Sequence, residues 1–319
     1  MIYRQAGSIG VEISAIALGG HEYLPNGKSR GFNEDPGVAV RPGYTGVGYG
    51  GQKRLDLLAT AFENGVNLFD VTIDPEKEAL GRNLKEVAPP YDIYIQTRPE
   101  GMGYSYDENN RKLATCDLLK AEVQRCLKLL QRDCIDFLNF PFLQWALDAD
   151  PEYLDSIRHN IETLKKEGLI RFATADTFSG EQTYLAQVNA GCFDALVMNF
   201  NFADAGARRA VLPEAGKKGM AVITREVFLK GALFKMADEV GIADCNLSAR
   251  AALKWNLSVP EITTVIVGAH TPDQFQNSLS VLDDPQLSEV ESAVLENLRT
   301  SSTYQNTRTQ KENRFFGKA

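Results

Sequence analysis

Apolar residues along the chain fall into eight short runs separated by longer segments with a helical pattern. The runs are Ala15 to Leu18, Val66 to Phe69, Ile93 to Ile95, Ile135 to Leu138, Ile170 to Ala173, Ala195 to Met198, Ala221 to Ile223 and Val265 to Val267. One of the helical segments places Leu154, Ile157, Ile161 and Leu164 on a single side of a helix. Strands that alternate with helices are typically parallel, and eight of them predict closure into a single (β/α)8 TIM barrel.

The composition fits one globular domain that handles a small molecule. The chain has 319 residues, of which 44% are hydrophobic and 24% are charged, so a single barrel domain over residues 1–319 is expected. The net charge of −8, without any block of Lys and Arg, argues against nucleic acid or an anionic membrane as a partner. The N-terminus lacks a signal-peptide pattern, and no stretch reaches the roughly 18 apolar residues of a membrane helix. We therefore expect a cytoplasmic protein with a small-molecule substrate.

The cysteines do not suggest a metal site or a disulfide framework. Cys116, Cys126, Cys134, Cys192 and Cys245 are odd in number and widely spaced, with no Cys-x-x-Cys pair. Reduced, structural cysteines and the absence of a metal are expected.

Two segments have the composition of loops or tails. Residues 25–51 are rich in glycine and polar residues, which predicts either a lid over the pocket or a mobile surface loop. Residues 300–319 are polar except for Phe315 and Phe316. This tail either frays or docks its two aromatic side chains on the barrel or on a neighbouring molecule.

Eight segments along the chain occur in an order that resembles one known family. They are Ser14 to Gly20, Gly65 to Asp70, Glu78 to Gly81, Ile135-Asp136, Leu164 to Arg171, Lys230 to Leu233, Ala252 to Trp255 and Val265 to Ala269. In this order the chain resembles the aldo-keto reductases over nearly its entire length. The resemblance implies a (β/α)8 barrel that reduces carbonyl compounds with hydride from NADPH.

The resemblance also implies a catalytic tetrad of Asp, Tyr, Lys and His, of which only the Asp is present here. It matches Asp70, whereas the Tyr, Lys and His positions are occupied by Pro75, Arg98 and Pro141. Because proline has no side-chain proton, carbonyl reduction would need a proton donor from elsewhere.

The positions that bind the cofactor in the family are kept unevenly. The residues that would contact nicotinamide match Asp176, Thr177, Val197 and Arg225, and they differ from the expected Ser, Asn, Gln and aromatic side chains. The adenine end is better kept, with Gly231, Gly268, Thr271, Pro272 and Gln274, although Asn277-Ser278 replaces a Glu-Asn pair. The resemblance therefore implies NAD(P)H as a cofactor that binds weakly or not at all, with little preference for NADPH over NADH.

Replacement acid–base groups follow the predicted strands. His21, Glu22 and Tyr23 follow the first run, and His21 is the favoured proton donor because its ordinary pKa lies near neutrality. Asp70 and Asp176 are further candidates, while Glu22, Tyr23 and Asn199 are candidates for substrate binding. His159 and His270 receive no role.

Two arginines are expected at the mouth of the barrel, the end at which the strands have their carboxyl ends. Guanidinium groups bind carboxylate or phosphate in a bidentate manner, so Arg98 and Arg225 predict an anionic substrate. The alternative is that they form structural ion pairs with Asp70 and Asp176.

Three functions stay open from the sequence. The first is an atypical NAD(P)-linked oxidoreductase that acts on a small polar or anionic carbonyl or hydroxy compound with a replacement proton donor. The second is a lyase, isomerase or hydrolase on the same barrel, without hydride transfer. The third is an inactive protein that binds a ligand. The substrate and the oligomeric state cannot be derived from these residues.

Overall fold

A computed structural model of the protein describes residues 1–24, 29–31, 40–46, 48–103 and 107–317. The chain begins with an antiparallel hairpin of β1 (Tyr3–Gln5) and β2 (Glu12–Ser14). Ile13 of this hairpin packs against the barrel interior, so the hairpin covers the end of the barrel where the strands begin.

Eight parallel strands form a closed barrel in the order β10-β3-β4-β5-β6-β7-β8-β9. They are β3 (Ile16–Gly19), β4 (Leu68–Asp70), β5 (Tyr94–Thr97), β6 (Ile135–Pro141), β7 (Ile170–Asp176), β8 (Ala195–Asn199), β9 (Ala221–Arg225) and β10 (Thr264–Val267). The prediction of a single (β/α)8 barrel is confirmed.

Helices lie between the strands and after the last one. They are α1 (Gln52–Glu63), α2 (Asp74–Glu86), α3 (Arg111–Ala114), α4 (Cys116–Leu130), α5 (Gln144–Ala149), α6 (Tyr153–Lys166), α7 (Glu181–Ala190), α8 (Val211–Lys217), α9 (Ala232–Glu239), α10 (Cys245–Leu257), α11 (Pro272–Leu279), α12 (Glu289–Leu298) and α13 (Ser302–Phe315). Short 3-10 turns occupy Glu108–Asn110, Gly206–Arg208, Leu229–Gly231 and Ser280–Leu282.

The barrel interior changes from apolar to polar toward the carboxyl ends of the strands. One apolar layer contains Ala17, Leu68, Phe137, Val197 and Ile223. Two positions further along, where side chains return to the same face of a strand, lie Asp70, Asn139, Asn199 and Arg225. This polar layer marks the end of the barrel where a TIM barrel carries its active site.

Strand β6 is longer than its apolar run predicts. It continues through Pro141, whose Cα pairs with that of Asp176, and Phe142 donates its backbone N–H to the carbonyl of Asp176. Pro141 therefore belongs to the wall of the barrel.

The polar tail is helical from Ser302 to Phe315. Among the described residues, no helix is long and apolar enough to cross a membrane. All five cysteines carry free thiols.

Candidate active site

The carboxyl ends of β3 and β4 bring a histidine and a buried glutamate together. His21 follows β3, and its Nδ1 lies 2.6 Å from Oε1 of Glu76. Gly20 allows this approach, since a Cβ there would lie only 2.7 Å from the carbonyl oxygen of Asp70. The His21 side chain is 35% exposed, whereas that of Glu76 is 2% exposed. The pair thus presents a histidine to the mouth and keeps its carboxylate partner inside.

Glu76 is fixed by the start of α2. Pro75 lies in the first turn of this helix, where a missing N–H costs nothing. In the same turn, Glu76 Oε2 accepts hydrogen bonds from the backbone N–H groups of Thr72 at 2.9 Å and Ile73 at 3.4 Å. These bonds hold the carboxylate in position while its other oxygen meets His21. Pro75 therefore lies in the first turn of the helix that supplies Glu76.

The pKa values of the pair favour the charged forms of both groups. Burial alone would lower the pKa of His21, but the negative charges of Glu76 and Asp70 raise it above its ordinary value of 6.5. Burial alone would raise the pKa of Glu76, but His21 and the backbone donors hold it below 4.5. The arrangement is an imidazolium–carboxylate pair over part of the physiological pH range.

Asp70 ends β4 at the centre of the mouth. Its Oδ1 accepts a hydrogen bond of 2.9 Å from Nε2 of Gln96. Burial raises the pKa of Asp70, although Gln96, Arg225 and His21 act in the opposite direction. The structure therefore brings together two of the predicted acid–base groups, His21 and Asp70.

Arg225 and Asp176 form a bidentate ion pair. The two guanidinium nitrogens lie 3.1 and 2.8 Å from the Asp176 carboxylate, whose side chain is fully buried, and Nε donates to Oδ1 of Asn199 at 2.8 Å. The guanidinium also lies over the Phe178 ring, 5.0 Å from its centroid. Of the two alternatives for Arg225, the structure has the ion pair with Asp176. Because the carboxylate takes up the forked donors of Arg225, binding of an anionic substrate by this arginine stays a prediction.

Arg98 forms an ion pair with Glu100, where the sequence had suggested Asp70 as its partner. Its Nη2 lies 3.8 Å from Oε1 of Glu100, and Lys77 Nζ lies 3.9 Å from Oε2. Burial raises the pKa of Glu100 to about 7, against the opposing influence of Arg98 and Lys77. Lys77 also pairs with Asp74 at 2.9 Å. Arg98 thus connects the mouth to a buried charge cluster beneath α2.

Glu22 contacts two residues of the long loop between β3 and α1. It accepts the backbone N–H of Gly50 and faces Arg30 at 3.4 Å. Gly43 donates its N–H to Asp74 Oδ2 at 2.7 Å. The prediction that residues 25–51 close over the site lies partly outside the described residues, since 25–28, 32–39 and 47 are not among them.

Tyr23 lies on the side of the mouth that faces β10. Its ring stacks on His270 with centroids 4.4 Å apart, and its hydroxyl fills the space next to Gly268, where a Cβ would lie 2.3 Å away. His270, which received no role from the sequence, is therefore the stacking partner of Tyr23.

The residues predicted to hold a dinucleotide lie in two places: Gly231 ends the 3-10 turn after β9, whereas Gly268, Thr271, Gln274 and Asn277 lie in the stretch from the end of β10 into helix α11. Thr271 caps α11 by accepting from the N–H of Gln274, whose side chain accepts from the N–H of His270 at 2.9 Å, and Asn277 accepts from Arg250 at 2.8 Å. Gly231 has φ +91° and open space where a Cβ would project.

The loop after β9 has an unusual backbone. Glu226, Leu229 and Lys230 have φ values of 62°, 53° and 54°, followed by Gly231. Left-handed conformations of residues other than glycine cost about 1 kcal/mol or more each, and they cluster at functional sites.

Sequence reasoning missed both this loop and Glu76. The Pro75-Glu76 step at a helix start was the available signal for Glu76.

Within the described ranges, no group of three or more His, Cys, Asp or Glu side chains is arranged to hold a metal ion.

Comparison with known proteins agrees with the fold. The model of the aldo/keto reductase family matches residues 48–245. A comparison with curated proteins found no match. Among solved structures, the fold is similar to an aldo-keto reductase of Bacillus halodurans, AKR11C1, in its holo form, with 18% identity, a TM-score of 0.68 and coverage of 97% of this chain and 99% of that one. It is also similar to the glycerol dehydrogenase AKR11B4 of Gluconobacter oxydans, with 18% identity, a TM-score of 0.69 and coverage of 94% and 96%.

Proposed function

Since the chain belongs to the aldo/keto reductase family, we propose that it is an NAD(P)-linked oxidoreductase in which His21 has taken over the role of proton donor. The observation that carries this proposal is the 2.6 Å contact between His21 Nδ1 and the buried Glu76, next to Asp70 at the mouth. A general acid needs a proton to give and a group that holds it in place, and this pair provides both.

The fit of the family cofactor is supported at one end and altered at the other. Gly231 has open space next to its backbone, so that a ligand could approach it closely. The N-terminus of helix α11 is a feature that suits phosphate groups. Toward nicotinamide, the Arg225–Asp176 pair replaces neutral side chains, and Asn199 and Arg225 would be the contacts available there. When bound, NAD(P)H supplies a hydride to the substrate carbonyl carbon. We propose that Gly231, Thr271, Gln274 and Asn277 hold its adenosine and phosphate end.

The proposed proton transfer uses residues of the β3 and β4 ends. Glu76 holds Nδ1 of His21, so the proton exchanged with the substrate is the one on Nε2. The imidazolium gives this proton to the alkoxide oxygen that forms as the carbonyl is reduced. Asp70 lies close enough to favour the imidazolium electrostatically, and its hydrogen bond from Gln96 fixes its orientation. In the oxidative direction His21 takes the hydroxyl proton.

The substrate is proposed to be a small polar carbonyl or hydroxy compound. Asp70, Asn139, Asn199 and Arg225 form a polar layer at this end of the barrel, which favours a ligand that hydrogen bonds. An anionic substrate has less support than the sequence suggested, because Arg225 faces Asp176 and Arg98 faces Glu100.

Variants of the pair test the proposed proton donor. Replacing His21 by Asn should lower turnover with NADPH and small hydroxyaldehydes by about 100-fold or more, the usual contribution of a general acid. With Glu76→Gln, the pKa of His21 should fall, so the loss of reductase activity with rising pH should begin at lower pH than in the wild type. His159 on α6 provides the control, and His159→Asn should behave like the wild type. Equal turnover of all four proteins would exclude His21 as the donor.

A second function is favoured by one observation. Asp70 has a raised pKa and His21 is an acid beside it, and two such groups suffice for isomerisation or elimination without hydride transfer. The altered nicotinamide end is consistent with that chemistry. Conversion of a hydroxycarbonyl substrate in the complete absence of nucleotide would favour this function over the oxidoreductase.

A further inference from the structure

The C-terminal helix α13 docks on the barrel in a seat made of glycines. Phe315 packs against Tyr184 with ring centroids 6.3 Å apart. A Cβ on Gly206 would lie 2.7 Å from the Phe315 ring, and a Cβ on Gly180 would lie 2.3 Å from the Phe315 carbonyl oxygen. Any larger residue at either position would displace the tail. The docking is therefore specific, and it takes place at the ends of β7 and β8.

Two basic residues of α13 reach from this seat toward the mouth. Lys311 Nζ lies 3.0 Å from Asp204 Oδ2 and 3.3 Å from Glu226 Oε2. Arg314 donates from Nε to the carbonyl of Phe178 at 3.1 Å, and its guanidinium lies 5.4 Å from the Phe178 ring centroid. Arg225 contacts the same ring at 5.0 Å. Phe178 thus separates the tail arginine from the arginine of the mouth.

The residue that Lys311 holds begins the strained loop after β9. Glu226 has φ 62°, its carbonyl accepts from Asn201 Nδ2 at 3.0 Å, and its carboxylate also faces Lys230 at 3.2 Å. Such a conformation persists only where surrounding contacts determine it. The contact of Lys311 is one of these, and it comes from a segment 85 residues away along the chain.

A cavity between α13 and the barrel is lined by Asn199, Phe178 and Lys311 among others. The polar contacts of the tail are made to the barrel residues Asp204, Glu226 and Phe178.

From these contacts we infer that Lys311 and Arg314 are positioning residues. The docked helix α13 holds residues 226–231 in the conformation that receives the nucleotide. It also holds Arg225 in place through Phe178. This inference rests on the proposed function for the identity of the ligand. The positioning itself is a property of the protein without nucleotide and is measured separately.

The test uses four variants of the full chain. Lys311→Met removes the contact to Glu226, and Gly206→Ala displaces Phe315 without altering the mouth. Arg308→Met is the control, because Arg308 lies on the same helix and its ion pair among the described residues is a local one, with Glu312 at 2.8 Å. Lys311→Arg keeps the charge and should restore the wild-type behaviour.

Three readouts separate positioning from a structural role. In the nucleotide-free protein, amide hydrogen exchange over residues 226–231 should accelerate at least tenfold in Lys311→Met and Gly206→Ala. The Kd for NADPH, followed by nucleotide fluorescence, should rise at least tenfold in the same variants, while Arg308→Met changes neither quantity. The melting temperature identifies any variant that fails to fold. If Lys311→Met does not fold, wild-type exchange and Kd in Lys311→Arg are the result that supports positioning by the charge.

Unchanged exchange over residues 226–231 in folded Lys311→Met and Gly206→Ala would overturn the inference. Faster exchange throughout the protein, with a lower melting temperature and an unchanged Kd, would also overturn it, since α13 would then be merely structural. Failure of the wild type to bind NADPH or NADH would instead count against the proposed function, and the exchange measurement would still judge the positioning.

Discussion

Replacing Glu100 by Gln should stabilise the protein at alkaline pH. Glu100 is 1% exposed, and neither of its carboxylate oxygens has a hydrogen-bond partner among the described residues. Lys77 and Arg98 lie 3.9 and 3.8 Å away, beyond hydrogen-bond distance. Burial raises the pKa of the carboxyl from an ordinary 4.5 to about 7. Ionised Glu100 therefore opposes folding.

The difference between these two pKa values sets the expected magnitude. Between pH 4.5 and 7 the folded protein binds the proton that the unfolded chain releases, so this group's contribution to stability falls as pH rises through that window. Above pH 7 the full cost applies, on the order of 3 kcal/mol. Glu100→Gln, which resembles the neutral acid, should recover up to about that amount at pH 8.5 and almost nothing at pH 4.5.

Urea unfolding at several pH values measures this effect, with linear extrapolation to water. Glu122→Gln is the matched control, because Glu122 is similarly buried but accepts hydrogen bonds from the N–H of Glu100 and from Arg125. That variant should be destabilised at the same pH values. If Glu100→Gln is less stable than the wild type at pH 8.5, attraction by Lys77 and Arg98 outweighs burial, and the reasoning is refuted.

Two further predictions concern the mouth. Nicotinamide nucleotides should bind weakly, because Asp176 and Arg225 stand where neutral nicotinamide contacts are expected, and with little preference between NADPH and NADH, because Gln274 and Ser278 at the adenosine end carry no positive charge for a 2′-phosphate; sub-micromolar NADPH affinity with strong discrimination in a fluorescence titration would contradict this. Asp176→Asn should lower the free energy of unfolding by about 2 kcal/mol or more, since Arg225 would lose its buried carboxylate partner. An unchanged urea midpoint would show that the pair contributes no stability.

The barrel could be predicted from the sequence because its signal is local and repeated. Each strand is a short apolar run, and the eight runs and the helical segments between them occur in an order that admits one architecture. The same local reasoning placed Asp70 and His21 at strand ends, and therefore at one end of the barrel. The ends of several strands differed: β6 continues through Asn139 to Pro141, and β7 continues to Asp176.

The pairing of side chains at the mouth could not be predicted in the same way. Glu76 contacts His21 although the two residues are 55 positions apart in the sequence. The contact forms because α2 begins at Asp74 and buries the carboxylates of its first turn. The sequence left open whether Arg225 would bind a ligand or Asp176, since both outcomes need the same residues. The strained loop from Glu226 to Gly231 depends on contacts from distant segments such as α13. These side-chain contacts depend on tertiary packing, which the periodicity of apolar residues does not reveal.

One measurement tests the central claim most directly: transfer of deuterium from NADPH deuterated at C4 to a small hydroxyaldehyde, followed by mass spectrometry for the wild type and His21→Asn. The account predicts that the wild type places deuterium on the new carbinol carbon and that His21→Asn does so about 100-fold more slowly or worse. A wild-type product without deuterium, or equal rates for the two proteins, would contradict it.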